Sequence, residues 1–195
     1  MKNYKSLIVI SSPSGGGKST IAKHLMNLYP SLDFSVSATT RKKREGEIDN
    51  KDYFFLTKEE FLEKIKKNDL IEYEEIFGNL YGTLKSEVSK SIDNNKTILF
   101  DVDVKGALSL KKHFPNQTLL IFIAPPNLEV LEDRLRKRRT ETEEEINRRL
   151  DRAEEEDKYR DKFDELIIND NLEESFRKIE EISNKHLNPE LKQKG

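Results

Sequence analysis

Residues 7–20 read LIVISSPSGGGKST, and this stretch decides the fold because it joins an apolar strand to a glycine-rich loop and a helix. The strand prediction covers residues 7–10, which are apolar and mostly β-branched and end at a Ser-Ser-Pro turn signal. The helix prediction covers residues 19–29. In this order, the loop N–H groups and the helix N-terminus point at the same anion. The stretch therefore predicts a site for the phosphates of a nucleoside triphosphate.

The backbone and the side chains of this loop have separate tasks. We expect positive φ angles at the glycines that turn their N–H groups inward, which are Gly15, Gly16 and Gly17. Lys18 brings a positive charge to the outer phosphates, and the Ser19 hydroxyl suits a Mg²⁺ ion. The usual spacing, G-x-x-x-x-G-K before Ser or Thr, needs a glycine where this chain has Ser12, which fits the turn if its φ is negative. A glycine-rich turn without a ligand is the alternative.

The composition narrows the class of protein. The chain has 195 residues, and its 35 Lys and Arg residues nearly balance 37 Asp and Glu residues, so we expect no general nucleic-acid binding. Without cysteine, the sequence offers neither disulfides nor thiolate ligands, which favours a cytoplasmic location. Its apolar runs are too short for a membrane span or a signal peptide, and it leaves the oligomeric state open.

Strand and helix patterns alternate along the rest of the chain and predict an α/β fold, a P-loop NTPase-type parallel sheet flanked by helices. Further strands are predicted at residues 97–102, 118–123 and 165–168. Further helices are predicted at residues 104–113, 128–138 and 172–184.

Two stretches interrupt this alternation within the single predicted domain. Residues 35–88 predict an inserted small α+β lobe, with strands at 53–56 and 70–77 and a helix at 58–68. Residues 139–159 are almost wholly charged and predict a mobile helical lid with Glu144–Arg148 and Glu145–Arg149 ion pairs. The predicted core comprises residues 1–34, 89–138 and 160–184, and residues 185–195 are expected to be a frayed tail.

The inserted lobe has the residues for a phosphorylated acceptor. Arg41 and Arg44 are three positions apart in SATTRKKREGE, and two planar guanidinium groups can clamp one phosphate. A solvated basic turn is the alternative interpretation.

Seven segments resemble the guanylate kinase family in order and spacing, from about residue 6 to residue 176. They are SSPSGGGKST, SVSATTRKKREGE, KDYFF, IEYEEIFGNLYGT, LFDVDVKGA, RLRKRRTETEEEINRRL and IIND. The resemblance implies transfer of the γ-phosphoryl group of ATP to GMP, in purine nucleotide metabolism, with Mg²⁺ as cofactor.

The resemblance also implies roles for individual residues. ATP would be bound by Ser14, Gly15, Gly16, Gly17, Lys18, Ser19, Thr20 and, at the adenine, Asn169. The implied catalytic residues are Lys18, Arg134, Arg138 and Arg149. The GMP phosphate would be held by Arg41, Arg44, Tyr53 and Tyr81, and the guanine surrounded by Ser37, Glu72, Thr83 and Asp103. The metal would be held by Ser19 and, through water, Asp101.

Guanine suits this implied pocket chemically. Its N1–H and 2-amino groups are parallel donors that the Glu72 carboxylate can accept together, and the Thr83 hydroxyl can donate to O6. Adenine would leave both side chains unsatisfied, at about 1–3 kcal/mol for each buried group.

Two other classes of protein remain as rivals. A non-catalytic guanylate-kinase-like binding module typically has a degraded phosphate loop, whereas Lys18 and Ser19 are present here. A P-loop kinase for another small phosphorylated acceptor, such as a ribose bisphosphate, would not need Glu72. The chain departs from the family pattern at Lys105, where Gln is usual, and at Arg139, where Gly is common.

Overall fold

Strands and helices alternate in the computed structural model, which describes residues 4–13, 15–76, 78–137 and 142–192. The strands are β1 (Leu7–Ser11), β2 (Asp33–Phe34), β3 (Ala38–Thr39), β4 (Phe54–Phe55), β5 (Leu70–Ile76), β6 (Asn79–Leu84), β7 (Ile98–Asp101), β8 (Thr118–Ala124) and β9 (Glu165–Ile168). The helices are α1 (Lys18–Leu28), α2 (Lys58–Lys66), α3 (Lys85–Asp93), α4 (Val104–His113), α5 (Leu128–Lys137), α6 (Glu143–Asp157) and α7 (Leu172–His186). Short 3₁₀ turns cover Arg160–Lys162 and Pro189–Lys192.

The main sheet has five parallel strands in the order β2-β7-β1-β8-β9. Its central strand β1 is buried on both faces, as expected when helices cover both sides of a parallel sheet. Ile8 and Ile10 pack in a cluster with residues of α1 and α7, whereas Leu7 and Val9 pack in a second cluster with residues of α4. This arrangement confirms the predicted fold class.

The inserted lobe is built on a mixed sheet in the order β4-β3-β6-β5. Helix α2 begins with a capping box between Thr57 and Glu60 and buries Phe61 in the lobe's own apolar cluster. Strands β5 and β6 are antiparallel, and their register places Glu72 opposite Thr83. The lobe therefore presents two predicted acceptor-binding residues side by side.

Most sequence-predicted elements agree with the observed bounds within two residues, and β9 and α4 coincide with their predictions. The sequence analysis missed β2 and β3, which have two residues each and carry no readable alternation. It also missed β6, which contains Gly82, and the polar helix α3.

The lid helix α6 also begins with a capping box, formed by Thr142 and Glu145. The predicted Glu144–Arg148 ion pair is wrong, and the Glu145 carboxylate of the second predicted pair caps the helix. The Glu145 carboxylate accepts from the Thr142 backbone N–H over 2.8 Å, because capping satisfies a free donor at the helix start. Arg148 donates through Nε to the Glu144 carbonyl oxygen over 3.3 Å and not to its carboxylate.

The predicted frayed tail is wrong for residues 185–192. Helix α7 continues to His186, and Leu187 is buried in the main core cluster with Ile179 and Ile182. This apolar anchor orders the segment that follows the helix. Among the described residues, no helix combines the length and the apolar character needed to cross a membrane.

Candidate active site

The loop after β1 uses its glycines in two ways. Gly15 and Gly17 have φ angles of 97° and 96°, in the left-handed region that favours glycine. Gly16 lies outside that region, so the prediction of a positive φ is wrong there; its role is close packing, because a Cβ would lie 2.0 Å from the Ser12 Oγ. Ser12 is buried without a positive φ and donates its hydroxyl to the Pro13 carbonyl oxygen over 3.0 Å. The serine therefore fits the turn.

Asn169 braces this loop from the end of β9. Its side-chain nitrogen donates to the Gly16 carbonyl oxygen over 2.8 Å, and its side-chain oxygen accepts from the Ser175 hydroxyl over 2.9 Å. A Cβ on Gly17 would lie 2.1 Å from that nitrogen. The Asn169 carbonyl oxygen accepts from Arg134 Nη2 over 2.8 Å. The residue predicted to contact adenine is thus buried and supports the loop.

Lys18, the first residue of α1, reaches across to β7. Its Nζ lies 2.5 Å from Asp101 Oδ1 and donates to the Val102 carbonyl oxygen over 3.4 Å. Ser19 lines the cleft beside this pair. Across the described ranges, no group of three or more Asp, Glu, His or Cys residues could hold a metal ion by itself. A hydroxyl and a carboxylate beside a phosphate loop instead match Mg²⁺ that is bound together with substrate phosphates.

A cleft of about 460 Å³ connects the loop with the inserted lobe and the lid helix. The predicted residues that line it are Gly15, Gly17, Lys18, Ser19, Thr20, Ser37, Tyr53, Glu72, Tyr81, Asp101, Asp103 and Arg149. Other predicted residues lie outside this lining, namely Gly16, Arg41, Arg44, Thr83, Arg134 and Asn169. Ser14 and Arg138 lie outside the described residues.

Glu72 lies at the inner end of the acceptor side. Its Oε1 accepts from the Thr83 hydroxyl over 2.6 Å, so in this structure Thr83 donates to Glu72 and is buried behind it. Burial, together with the neighbouring Asp103 carboxylate, raises the pKa of Glu72 to about 7 against the lowering effect of the Thr83 hydrogen bonds. Asp103 caps α4 by accepting from the Gly106 N–H over 2.7 Å. The lack of a side chain at Gly106 lets α4 approach the Glu72 carboxylate, because a Cβ there would lie 3.0 Å from Oε2.

The predicted phosphate clamp is only partly assembled. Arg41 forms a two-pronged contact with Glu47, at 3.0 Å from Nη1 and 2.6 Å from Nη2, and its guanidinium carbon lies 5.2 Å from the Tyr53 ring centre. The Tyr53 and Tyr81 ring centres are 6.2 Å apart. Arg44 contributes a backbone N–H to Glu47 over 2.7 Å. The Arg41 contact lowers the pKa of Glu47 to about 2, so this carboxylate occupies Arg41 as an anion.

The sequence analysis did not single out four charged residues of this site. They are Glu47, Glu74, Arg152 and Glu156. Glu74 could have been found by the two-residue period of a strand, which places it on the same face as Glu72. Arg152 could have been found by helical spacing, since it follows Arg149 by three positions.

A phosphate loop on a parallel sheet, facing an inserted lobe and a helical lid across one cleft, defines a P-loop kinase of the nucleoside monophosphate class. The comparison with known proteins refines this class. The family model described as guanylate kinase matches residues 4–186, and the chain belongs to the guanylate kinase family. Guanylate kinases are ATP:GMP phosphotransferases, so the chain is assigned to this group of enzymes.

Individual relatives agree with the family model. The guanylate kinase of Chlorobium luteolum is 49% identical over 173 residues, covering 89% of this chain and 88% of the relative. That of Chlorobaculum tepidum is 51% identical over 166 residues, covering 85% of each. The crystal structure of guanylate kinase from Anaplasma phagocytophilum matches with a TM-score of 0.73 and 32% identity, covering 100% of this chain and 93% of that one.

Proposed function

We propose that the cleft binds ATP at the phosphate loop and GMP at the inserted lobe and transfers the γ-phosphoryl group between them. The observation that carries this proposal is the position of Glu72, a partly buried carboxylate that lines the same cleft as Lys18. A carboxylate at the base of an acceptor pocket matches the N1–H and 2-amino donors of guanine. The Thr83 contact holds this carboxylate in place.

Charge neutralisation and positioning account for the chemistry. The GMP phosphate is already an anion near neutral pH, so transfer to its oxygen needs little base catalysis. Lys18 would contact the outer phosphates of ATP, and Arg134, Arg138 and Arg149 would stabilise the charge that spreads over the transferred group. The phosphate of GMP would be held by Arg41, Arg44, Tyr53 and Tyr81. Ser37 and Asp103 would complete the surroundings of guanine.

Ser19 and, through water, Asp101 would hold Mg²⁺ in this proposal. When bound, the ion supplies positive charge to the outer phosphates of ATP. The present Lys18–Asp101 ion pair supports the assignment, because it brings the lysine and the carboxylate to the same end of the phosphate loop. Thr20 and the loop backbone would bind the inner phosphates.

We further propose that the lobe of residues 35–88 and the lid of residues 139–159 close on the core when both nucleotides bind. Donor and acceptor residues come from different parts of the chain, and closure would exclude water from the reacting phosphates. Small-angle scattering with and without a bisubstrate analogue tests this, since an unchanged radius of gyration at saturation would contradict it.

The absence of cysteine supports a cytoplasmic location.

A panel of phosphoryl acceptors with ATP and Mg²⁺ tests the proposed function. It should include GMP, IMP, AMP, CMP, UMP and ribose 1,5-bisphosphate, with ADP release measured for each. We expect GMP to exceed AMP in kcat/KM by roughly 10⁴, because adenine has an acceptor at N1 and offers the Glu72 carboxylate neither of the two donors of guanine. Preference for another acceptor would overturn the GMP assignment, and nucleotide binding without any turnover would support the non-catalytic module.

A further inference from the structure

Arg152 on the lid helix contacts carboxylates of the lid, the inserted lobe and the core. Its Nη2 lies 3.0 Å from Glu74 Oε2 on β5 of the inserted lobe. The same nitrogen lies 3.5 Å from Asp103 Oδ2, at the N-cap of α4 in the core. Its Nε donates to Glu156 Oε1 over 2.8 Å, one helical turn further along α6. One guanidinium group therefore joins lid, lobe and core.

These contacts fall on the acceptor side of the cleft. Glu74 projects from the same strand face as Glu72, and the β5–β6 register pairs it with Tyr81. Asp103 faces the Glu72 carboxylate and contributes to its raised pKa. Arg152 thus contacts the immediate neighbours of the group proposed to bind guanine, and its three carboxylate partners all lie outside the phosphate loop.

The negative charge on the acceptor side of the cleft explains what the Arg152 contacts can do. Four carboxylates line this part of the cleft, namely Glu72, Glu74, Asp103 and Glu156. They would repel the phosphate of an incoming nucleotide unless cations balance them. Lys18 is paired with Asp101, and Lys105 lies 4.0 Å from Glu74 with a side chain 74% exposed. Arg152 is only 32% exposed and contacts three of these carboxylates at once, so it screens them more effectively than an exposed lysine.

We propose that Arg152 is a positioning residue for the acceptor, which couples closure of the lid to the alignment of the guanine pocket by bridging Glu74 and Asp103. The inference rests on the proposed function, because it assumes that GMP occupies this side. The contacts of Arg152 with Glu74 and Asp103 hold the lobe strand relative to α4, and a lid closed over the nucleotides would keep them in place. Binding of the acceptor and closure of the lid then favour one another.

The test uses steady-state kinetics of the full chain and its Arg152→Gln, Glu74→Gln and double variants. Loss of a partly exposed ion pair should raise KM for GMP about fivefold in Arg152→Gln. The value of kcat and KM for ATP should stay within about twofold, because Arg152 acts through acceptor-side residues. The double variant should resemble Arg152→Gln, since both changes break the same ion pair. Arg152→Lys keeps the charge and should recover part of the loss.

Arg148→Gln is the matched control, because Arg148 lies exposed on the same helix and donates to the Glu144 carbonyl oxygen of that helix. It should leave KM for GMP unchanged. Thermal unfolding of each variant checks that it is folded. If Arg152→Gln proves unstable, Glu74→Gln breaks the Arg152–Glu74 ion pair from the β5 side instead. Unchanged KM for GMP in folded Arg152→Gln, equal effects on GMP and ATP, or multiplicative losses in the double variant would overturn the inference alone. An unmodified enzyme without GMP phosphorylation would overturn the proposed function and the inference with it.

Discussion

Thr83 donates its hydroxyl proton to Glu72 Oε1 over 2.6 Å, from the position directly opposite on the neighbouring antiparallel strand. The strand register sets this contact, so the carboxylate is oriented before any substrate arrives. The second oxygen, Oε2, faces the gap that Gly106 leaves open. Guanine would therefore meet an acceptor whose direction is already determined, with little side-chain entropy left to lose.

Glu72→Gln should reduce discrimination for guanine. The amide replaces one acceptor oxygen by a donor, which meets a donor of guanine whichever way the amide is turned. We expect kcat/KM for GMP to fall by about 2–4 kcal/mol in transition-state binding, while KM for ATP changes little. IMP lacks the 2-amino group, so it should be a poor substrate of the unmodified enzyme and lose less from the substitution. The check is kcat/KM measured with GMP and with IMP for both enzymes. Equal losses of kcat/KM for the two acceptors would show that Glu72 does not bind guanine.

The dependence of kcat/KM for GMP on pH should reflect the ionisation of Glu72 in the unmodified enzyme. Burial raises the pKa of this carboxyl to about 7, and only the ionised form offers acceptors to both guanine donors. Below about pH 7, kcat/KM for GMP should therefore fall, approaching tenfold per pH unit. The GMP phosphate itself titrates near pH 6, about the same in every variant, so the Glu72→Gln profile serves as the reference. Identical profiles for the two enzymes would exclude this role.

The same raised pKa predicts an effect on stability. Folded Glu72 keeps its proton to about pH 7, whereas the ordinary pKa is 4.5, so between these values the unfolded state binds fewer protons. The free energy of unfolding therefore decreases as pH rises through this interval, by at most about 3 kcal/mol. Glu72→Gln should raise the thermal unfolding midpoint above pH 7 and leave it nearly unchanged below pH 4.5. Glu75→Gln, at an exposed position of β5, should have no such effect.

Lys18→Ala should abolish turnover while GMP binding survives. The substitution removes the charge at the outer phosphates and leaves Asp101 without its partner 2.5 Å away. We expect kcat to fall by about 10²–10³ or more, as when other electrostatic stabilisers are removed, with GMP affinity by calorimetry nearly unchanged. Lys23→Ala, at an exposed position of the same helix, is the control. Near-normal turnover in folded Lys18→Ala would remove the phosphate-loop assignment.

Arg41→Ala should weaken GMP binding through the phosphate alone. Arg41 already binds a carboxylate in two-pronged geometry, which shows that its planar group is oriented for a bidentate anion. We expect GMP affinity to fall about tenfold to hundredfold, and guanosine affinity to remain the same. Lys42→Ala changes the exposed neighbouring cation and should have little effect. A parallel loss of guanosine binding in calorimetry would mean that Arg41 supports the pocket and does not bind the phosphate.

Local patterns predicted the elements whose shape depends on near neighbours. Strand β1, its loop and α1 follow one another, and α4 begins where Asp103 caps it, so short-range chemistry sets these features. The phosphate loop could be predicted despite Ser12, because a serine at negative φ leaves the remaining geometry intact. The direction of the Thr83 hydroxyl could not, since it depends on the register of two strands.

Contacts between different segments account for the remaining differences between the sequence-based predictions and the structure. Glu47 forms an ion pair with Arg41 because the turn between them brings the two side chains together, and hydrophobic periodicity does not predict the shape of such a turn. Leu187 anchors the segment after α7 because it packs in the main core cluster with residues from distant elements. Arg152 could be recognised as charged, but its three partners come from three different parts of the chain. The sequence alone therefore predicts the types of side chain in the cleft better than their pairing.

The brace between Asn169 and the phosphate loop links residues 153 positions apart in the chain. During synthesis, the glycines, Lys18 and Ser19 leave the ribosome long before the asparagine that holds their loop. A nascent chain that ends before β9 therefore has nearly every side chain of the cleft and no support for the Gly16 carbonyl. The order of translation thus completes the brace of this loop only when almost the whole polypeptide has been made.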